Sequence, residues 1–374
     1  MLPSCNLPGD VIANILTKLP VKSLLRFKLV CKSWCEFITS SYFIKLHLSN
    51  PITTHNLLIL SHLNDYDVSE FSILTQNDNF PDADNLFVKM PPPFPLDPDE
   101  FLHVFDSCNG LVCLGLKIMP KLVLWNPATR KFRFVPLPER RTFGMPLPAM
   151  GLGYVEDTGD YKIVRIAQDY KLSEKMMAWV YTLSSDSWKQ LDLCLVNMLM
   201  QLRAPVSVNG FLHWLTNRFV SGNFIVAFDV KEEVVRHIAV PDNYGSSFGI
   251  FRQLVVVKGC LSMVVFSESN AMSGGIEIWV MAEYGVKGSW SKQFTVEQFG
   301  VVARPLRSWK DGEILFRYQD EGSKKLMSYN SYNKRKQYFS NFNPYSFQVF
   351  NYVESLESVE GGRTREGAFR EIVA

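Results

Sequence analysis

Apolar residues recur at helical spacing near the start of the chain and at strand-like spacing beyond it. Val11, Ile12, Ile15, Leu16 and Leu19 fall along one side of a helix, and Pro20 ends the run. Pro8 suits the first turn, where its missing N–H is not needed, and Asp10 complements the positive end of the helix dipole. A second short helix carries Leu24, Leu25 and Phe27, and a third carries Val30, Cys31, Trp34, Phe37 and Ile38. Lys18, Lys22, Arg26, Lys28 and Lys32 mark the sides that face water. Three helices over about forty residues lie near the size below which a chain needs a metal, a disulfide or a partner. The pattern therefore predicts docking on the rest of the chain, or burial beneath a separate helical protein.

The remaining three hundred or so residues alternate strand-like runs with turn signals. Glycine turns precede strands at Asn109-Gly110, Gly159-Asp160, Asn209-Gly210, Lys258-Gly259 and Asp311-Gly312, with glycine spacings of 49, 51, 49 and 53. A second marker follows each one: Trp125, Tyr181, Phe228, Trp279 and Tyr329 close a strand just before a polar turn, at spacings of 56, 47, 51 and 50. A fifty-residue unit of about four strands is the signature of propeller blades, kelch-like in length. Five units are legible. A sixth is expected from "HNLLILSHL" and "EFSILTQ" (55–76), with "YSFQVFNYV" (345–353) as a closing strand. The fold class is thus mainly β with an N-terminal α domain, six blades being favoured and five or seven left open. The expected division is helices over 1–48, a first blade with an acidic, proline-rich loop over 49–106, the propeller over 107–356 and a flexible tail over 357–374.

Composition changes this picture little, charge somewhat more. The chain is 47% hydrophobic and 20% charged with net charge +2, which forces neither a nucleic-acid nor a membrane reading. Residues 1–48 carry six Lys/Arg against Asp10 and Glu36, whereas 65–106 carry ten Asp/Glu against Lys89. That acidic stretch reads as a solvated loop or a face for a basic partner, with Asp97, Asp99 and Glu100 as candidate target-facing residues. Seven scattered cysteines suit reduced thiols, and the absence of a secretion-signal pattern adds to a cytoplasmic or nuclear expectation.

The segment "LPGDVIANILTKLPVKSLLRFKLVCKSWCEFI" resembles an F-box, with Leu7-Pro8, Asp10, Ile15-Leu16, Leu19-Pro20, Lys22-Ser23-Leu24, Arg26-Phe27 and Val30-Cys31-Lys32-Ser33-Trp34 in family order. The resemblance implies docking on the Skp adaptor, and through it a cullin, in a Skp–cullin–F-box ubiquitin ligase. Carried over residue by residue, the adaptor interface falls on Leu7, Pro8, Ile12, Ile15, Leu16, Leu19, Pro20, Ser23, Leu24 and Phe27. Val30 and Trp34 would be shared with a small internal core. "SCNGLVCL", "LWNPATRKFRFVP", "GLGYVEDTGDYKIVRI", "VYTLSSDSWKQL", "NGFLHWLT" and "IWVMAEYGVKGSWSKQFTV" resemble the F-box-associated interaction domain of plant F-box proteins. This implies that the propeller binds a degradation target. One branch of the family, the S-locus F-box proteins, recognises pollen-rejection ribonucleases, so a basic target such as a ribonuclease is one expectation.

No Gly-x-Ser-x-Gly elbow or phosphate-binding Gly-x4-Gly-Lys loop is present, and the six histidines show no helical metal spacing. His213 and the tryptophans at 125, 188, 214, 279, 290 and 309 read as packed blade residues. "NKRKQ" (333–337) reads as a solvated hairpin turn and "PPPFP" (91–95) as a stiff rim loop. No cofactor, metal, nucleic acid or membrane is expected. The sequence predicts a non-catalytic substrate receptor whose mechanism is proximity, the alternative being an interaction scaffold that acts without ligase assembly.

Overall fold

The computed structural model describes residues 9–50, 57–63, 69–74, 87–97, 100, 102–116, 121–138, 149–169, 175–192, 199–200, 204–217, 224–241, 250–267, 275–296, 303–309, 313–320, 323–330, 332–339 and 347–360. Helices α1 (Gly9–Leu16), α2 (Val21–Phe27) and α3 (Lys32–Thr39) lie where the periodicity predicts them. A fourth, α4 (Ser41–Leu48), was not expected. Ser40 caps it by accepting the Phe43 N–H at 3.2 Å.

The strands form six antiparallel sheets, which are the blades of a propeller. The first blade holds Leu57–Leu63, Ser69–Leu74 and Phe87–Met90, with Phe347–Tyr352 from the far end of the chain as its innermost strand. That last pairing closes the ring and hides the edges of the end sheets. The second blade runs Leu102–Cys108, Leu111–Leu116, Leu122–Asn126 and Lys131–Val135, and the third Ala149–Val155, Asp160–Asp169, Lys175–Thr182 and Ser187–Leu191. In the fourth, Leu199–Met200 and Val206–Val208 share the innermost position beside Phe211–Asn217, Phe224–Asp229 and Val234–Ala239. The fifth is Ile250–Val257, Cys260–Ser267, Ile276–Met281 and Trp290–Val296; the sixth is Ala303–Trp309, Glu313–Asp320, Ser323–Asn330 and Lys336–Phe339. Six blades are therefore observed, the favoured number.

Period-2 alternation explains why the blades stack. Successive side chains point to opposite sheet faces, so a single strand supplies two seams. Leu58 and Leu60 pack against Trp309 and Leu315 of the sixth blade, while Ile59 between them packs against the second blade with Val104 and Trp125. Six apolar clusters each straddle one seam of the ring. Middle strands such as Leu122–Asn126 are buried throughout because both faces are covered, whereas the outer Ser187–Leu191 is exposed or half-buried.

The turn markers have a backbone cause. Asn109 and Gly110 have φ of +49° and +84°, Asn209 and Gly210 +52° and +78°, and Lys258 and Gly259 +52° and +73°. Two successive left-handed residues make a turn whose twist matches that of the flanking strands. Gly159 ends a wider turn, with its N–H donated to Val155 O at 2.8 Å, and Gly312 lies outside the described residues. Each aromatic marker precedes a second type of turn. There Asn126, Asp229 and Asn330 accept backbone N–H groups two and three residues on.

Two expected boundaries move. The second blade starts at Leu102 rather than 107, and the segment from 357 is packed rather than loose as far as 360. Val359 is fully buried between the second and third blades, and Asn126 Nδ2 donates to Ser355 O and Glu357 O at 3.1 and 2.8 Å.

Candidate partner-binding surfaces

In the second to sixth blades the chain runs from the innermost strand outward, and in the first it does so from Leu57 onward beside the closing strand. Turns joining first to second and third to fourth strands therefore share one end of the propeller, and all other connections share the opposite end. The helices sit at the first end. Ala128, in a third-to-fourth turn, packs against the helical core, and Lys45 Nζ donates to Glu156 O at 3.5 Å.

That core consists of Leu16, Val21, Leu24, Ile38 and Phe43, joined by Leu356 from the C-terminal segment. Phe37 packs on Phe43 at a centroid distance of 4.9 Å and Phe27 meets Trp34 edge-on at 5.5 Å. His47 Nε2 donates to Leu19 O at 2.9 Å, and burial lowers its pKa. Leu16 and Leu24, at 1% and 0% exposure, are thus internal and leave the predicted interface. Ile12, Leu19, Ser23, Phe27 and Trp34 are half-buried and Pro20 is exposed, while Leu7 and Pro8 lie outside the described residues. Ile15 and Val30, at 49% and 63%, face outward, so Val30 is not shared with the core as expected.

Other apolar side chains of the helical domain face outward without having been predicted there, namely Val11, Leu29, Tyr42 and Leu46, with Leu29 87% exposed. Val11, Ile15 and Leu19 line a shallow groove bordered by Asp10, Asn14 and Lys18. The sequence held a signal for Val11: it is four residues before Ile15 and so shares its side of the helix. Leu29 had none, since it follows the end of α2.

At the opposite end, the loop after Phe87–Met90 carries the acidic candidates. Asp97 is exposed and Asp99 lies outside the described residues. Glu100 is buried, because a turn in which its N–H donates to Asp97 O at 2.9 Å folds it inward, so it leaves the target-facing set. Phe94 anchors "PPPFP" to the second blade's outer strand, 5.2 and 5.4 Å from the rings of Phe132 and Phe134.

His213 is a packing residue, as expected. Its Nδ1 donates to Val206 O at 2.8 Å, which leaves Nε2 to accept from the Tyr284 hydroxyl at 2.7 Å, and burial pulls its pKa down to about 4. Trp125, Trp214, Trp290 and Trp309 are buried and Trp188 and Trp279 half-buried. Among the described residues no group of three or more His, Cys, Asp or Glu could hold a metal ion.

The molecule is thus a closed six-bladed propeller with a small helical domain on one end. Residues 59–359 match the F-box associated beta propeller domain and residues 4–46 match the F-box domain; the chain belongs to the F-box proteins that carry this propeller. It is 29% identical over 343 residues to F-box protein At3g07870 of Arabidopsis thaliana, covering 82% of this chain and 78% of that one. It is 28% identical over 348 residues to F-box/kelch-repeat protein At3g23880 of the same plant, covering 89% and 90%. Among solved structures, TolB from Acinetobacter baumannii has the same general fold, with a TM-score of 0.51 at 9% identity over 82% of this chain and 69% of TolB. Membership of the F-box family supports a substrate-recognition role in Skp–cullin–F-box complexes in general.

Proposed function

We propose that the chain is a non-catalytic substrate receptor: the helices bind the Skp adaptor and, through it, a cullin, and the far end of the propeller holds a target protein for ubiquitination and proteasomal degradation. The observation that carries this reading is the pair of outward-facing aliphatic side chains, Ile15 and Val30, on a helical domain whose own core is already filled by other residues. Val11 and Leu19 extend Ile15 into a contiguous groove, and contiguous exposed apolar surface is the kind a partner protein covers. The chain itself breaks no bond. Tethering raises the effective concentration of a target lysine beside a charged conjugating enzyme. Such a receptor would work in the cytoplasm, the nucleus or both.

The test is capture of purified Skp adaptor by the full chain carrying Ile15→Asp and Val30→Asp. Desolvating two carboxylates at the interface lowers affinity by tenfold or more, while the melting temperature stays at the wild-type value because both positions face water. Undiminished capture overturns the assignment of the interface. Failure of the wild-type chain to bind adaptor favours the scaffold alternative.

A further inference from the structure

Charged turn residues at the helix end of the propeller divide the ring in two. On the third and fourth blades they are paired. Lys162 and Lys189 both reach Glu233, at 2.9 and 2.7 Å, Lys231 reaches Asp157 at 2.6 Å, and Arg133 of the second blade reaches Asp186. On the fifth and sixth blades the described turn residues at this end hold Lys258, Lys287, Lys334, Arg335 and Lys336 against Glu283 and Glu313. Lys258, Lys334 and Arg335 are exposed, and among the described residues none of the three meets a carboxylate.

The backbone singles out one of these cations. Lys258 opens the tight turn of the fifth blade at φ +52°, the place that Asn109 and Asn209 hold in the second and fourth. Asparagine enters the left-handed region readily and lysine does not, so the fifth blade carries the less suited residue at a shared position. Residues held in disfavoured backbone regions cluster at functional sites. Here the result is placement. Lys258 Nζ lies 4.5 Å from the centre of the Tyr332 ring, and that ring is 53% exposed in the outer turn of the sixth blade, two residues before Lys334. One turn from each blade thus joins the other in a single basic patch around an aromatic side chain.

The helices leave this patch uncovered. They rest on the second blade through Ala128 and on the third through Glu156, and those blades stand across the ring from the fifth and sixth.

We propose that the patch is a further protein-binding surface and takes an acidic peptide segment, with Lys258, Lys334 and Arg335 meeting its carboxylates and Tyr332 supplying an apolar contact. Charge complementarity selects the occupant. A nucleic acid fits less well, because Lys258 already takes a face of the one exposed ring on these turns, where a base would stack. The surface is separate from the outward side chains of the helices and from the far end of the propeller, so it does not depend on the receptor reading.

The test titrates the full chain, without adaptor, with a fluorescent hexaglutamate peptide and its hexaglutamine counterpart at low and moderate salt. Saturable binding of the glutamate peptide alone is expected, weakening several-fold as salt is raised. Lys334→Gln and Arg335→Gln each weaken it about threefold at unchanged melting temperature. Lys258→Asn is the sharper variant. Asparagine suits the turn, so binding falls by a similar factor while the melting temperature does not drop, a combination that a structural role for Lys258 would not produce. Wild-type affinity in these folded variants overturns the proposal, as does equal binding of the glutamine peptide, no saturable binding, or tighter binding of a single-stranded oligonucleotide of matched charge. Adaptor capture enters none of these readings, so a failure here leaves the receptor reading standing, and a failure there leaves this surface measurable.

Discussion

The helices and the propeller bury their apolar surface by different routes. Each blade offers two apolar faces and finds a neighbour for both, so six seam clusters share the load around the ring. The helical domain has one cluster of five of its own residues and borrows a sixth, Leu356, from the other end of the chain. Ile15, Leu29 and Val30 remain outside it. Among the described residues the propeller also exposes single apolar side chains such as Val88 and Phe134, but none as fully as Leu29 and Val30. That is the arrangement expected when the small domain meets a partner and the large one holds its own shape.

The largest expected effect would separate the two. Leu24→Ala removes a fully buried side chain from a five-residue core and costs about 2–5 kcal/mol. The helical signal in circular dichroism should melt well below the propeller, whose transition should not move, and adaptor capture should fail with it. A single transition shifted as one would break the comparison, because the two regions would then share a cooperative core. Paired with the aspartate variants at Ile15 and Val30, this substitution divides loss of capture by unfolding from loss by a spoiled surface.

The same division shows why some of the molecule was legible from sequence and some was not. Blade periodicity could be read because every hairpin needs left-handed turn residues, and only a few residue types supply them cheaply. The helices are harder. An apolar stripe as wide as that of α1 fits a domain core along either edge, and Phe43 and Leu356 decide the matter by filling one side. Phe43 stands on α4, whose Ser40 cap was a signal in the sequence, whereas nothing near the helices announces Leu356. Glu100 was misplaced for a similar reason, since an acidic run reads as solvated until a turn carries one member inward. The ion pair of Arg307 with Asp106, Nη2 to Oδ1 3.7 Å, could not be read at all: each follows a bulge in an innermost strand, a bulge leaves no signature in the apolar alternation, and the two residues stand about two hundred positions apart.

The second effect is confined to the propeller and has a pH signature. His213 is held at about 4, whereas in the unfolded chain it titrates near 6.5. The unfolded state thus takes up the proton first. Stability is untouched above pH 6.5 and is lost as pH falls from there toward 4, by about 2 kcal/mol at pH 5. His103, also held at about 4 by burial, adds a loss of the same sign. Asp106 acts in the opposite sense. Burial raises it to about 6 despite Arg307, so the folded state binds its proton first and about 1 kcal/mol returns between pH 7 and 5. Urea midpoints for the wild type and His213→Gln at pH 7 and pH 5 isolate the His213 contribution, and the variant's drop should be smaller by about 2 kcal/mol. An equal drop in both proteins would mean that His213 is protonated in the folded state at pH 5.

The smallest effect tests the joint between the regions. Gly110 and Gly210 occupy the same turn position in the second and fourth blades, with φ of +84° and +78°, so alanine is strained at either by about 1 kcal/mol. Their surroundings differ. A Cβ at Gly210 meets nothing within 4 Å, whereas one at Gly110 meets the Ser355 side chain and lies 2.7 Å from Val353 O. The Ser355 hydroxyl can turn away, but its Cβ, also at 2.7 Å, and the backbone carbonyl cannot. Relief must come from shifting the segment that carries Leu356 into the helical core. Gly110→Ala should therefore cost about 1 kcal/mol more than Gly210→Ala, and it should lower the helical melt as well as the propeller's. Identical shifts for the two variants, or a helical transition indifferent to both, would show that the C-terminal segment does not couple one end of the molecule to the other.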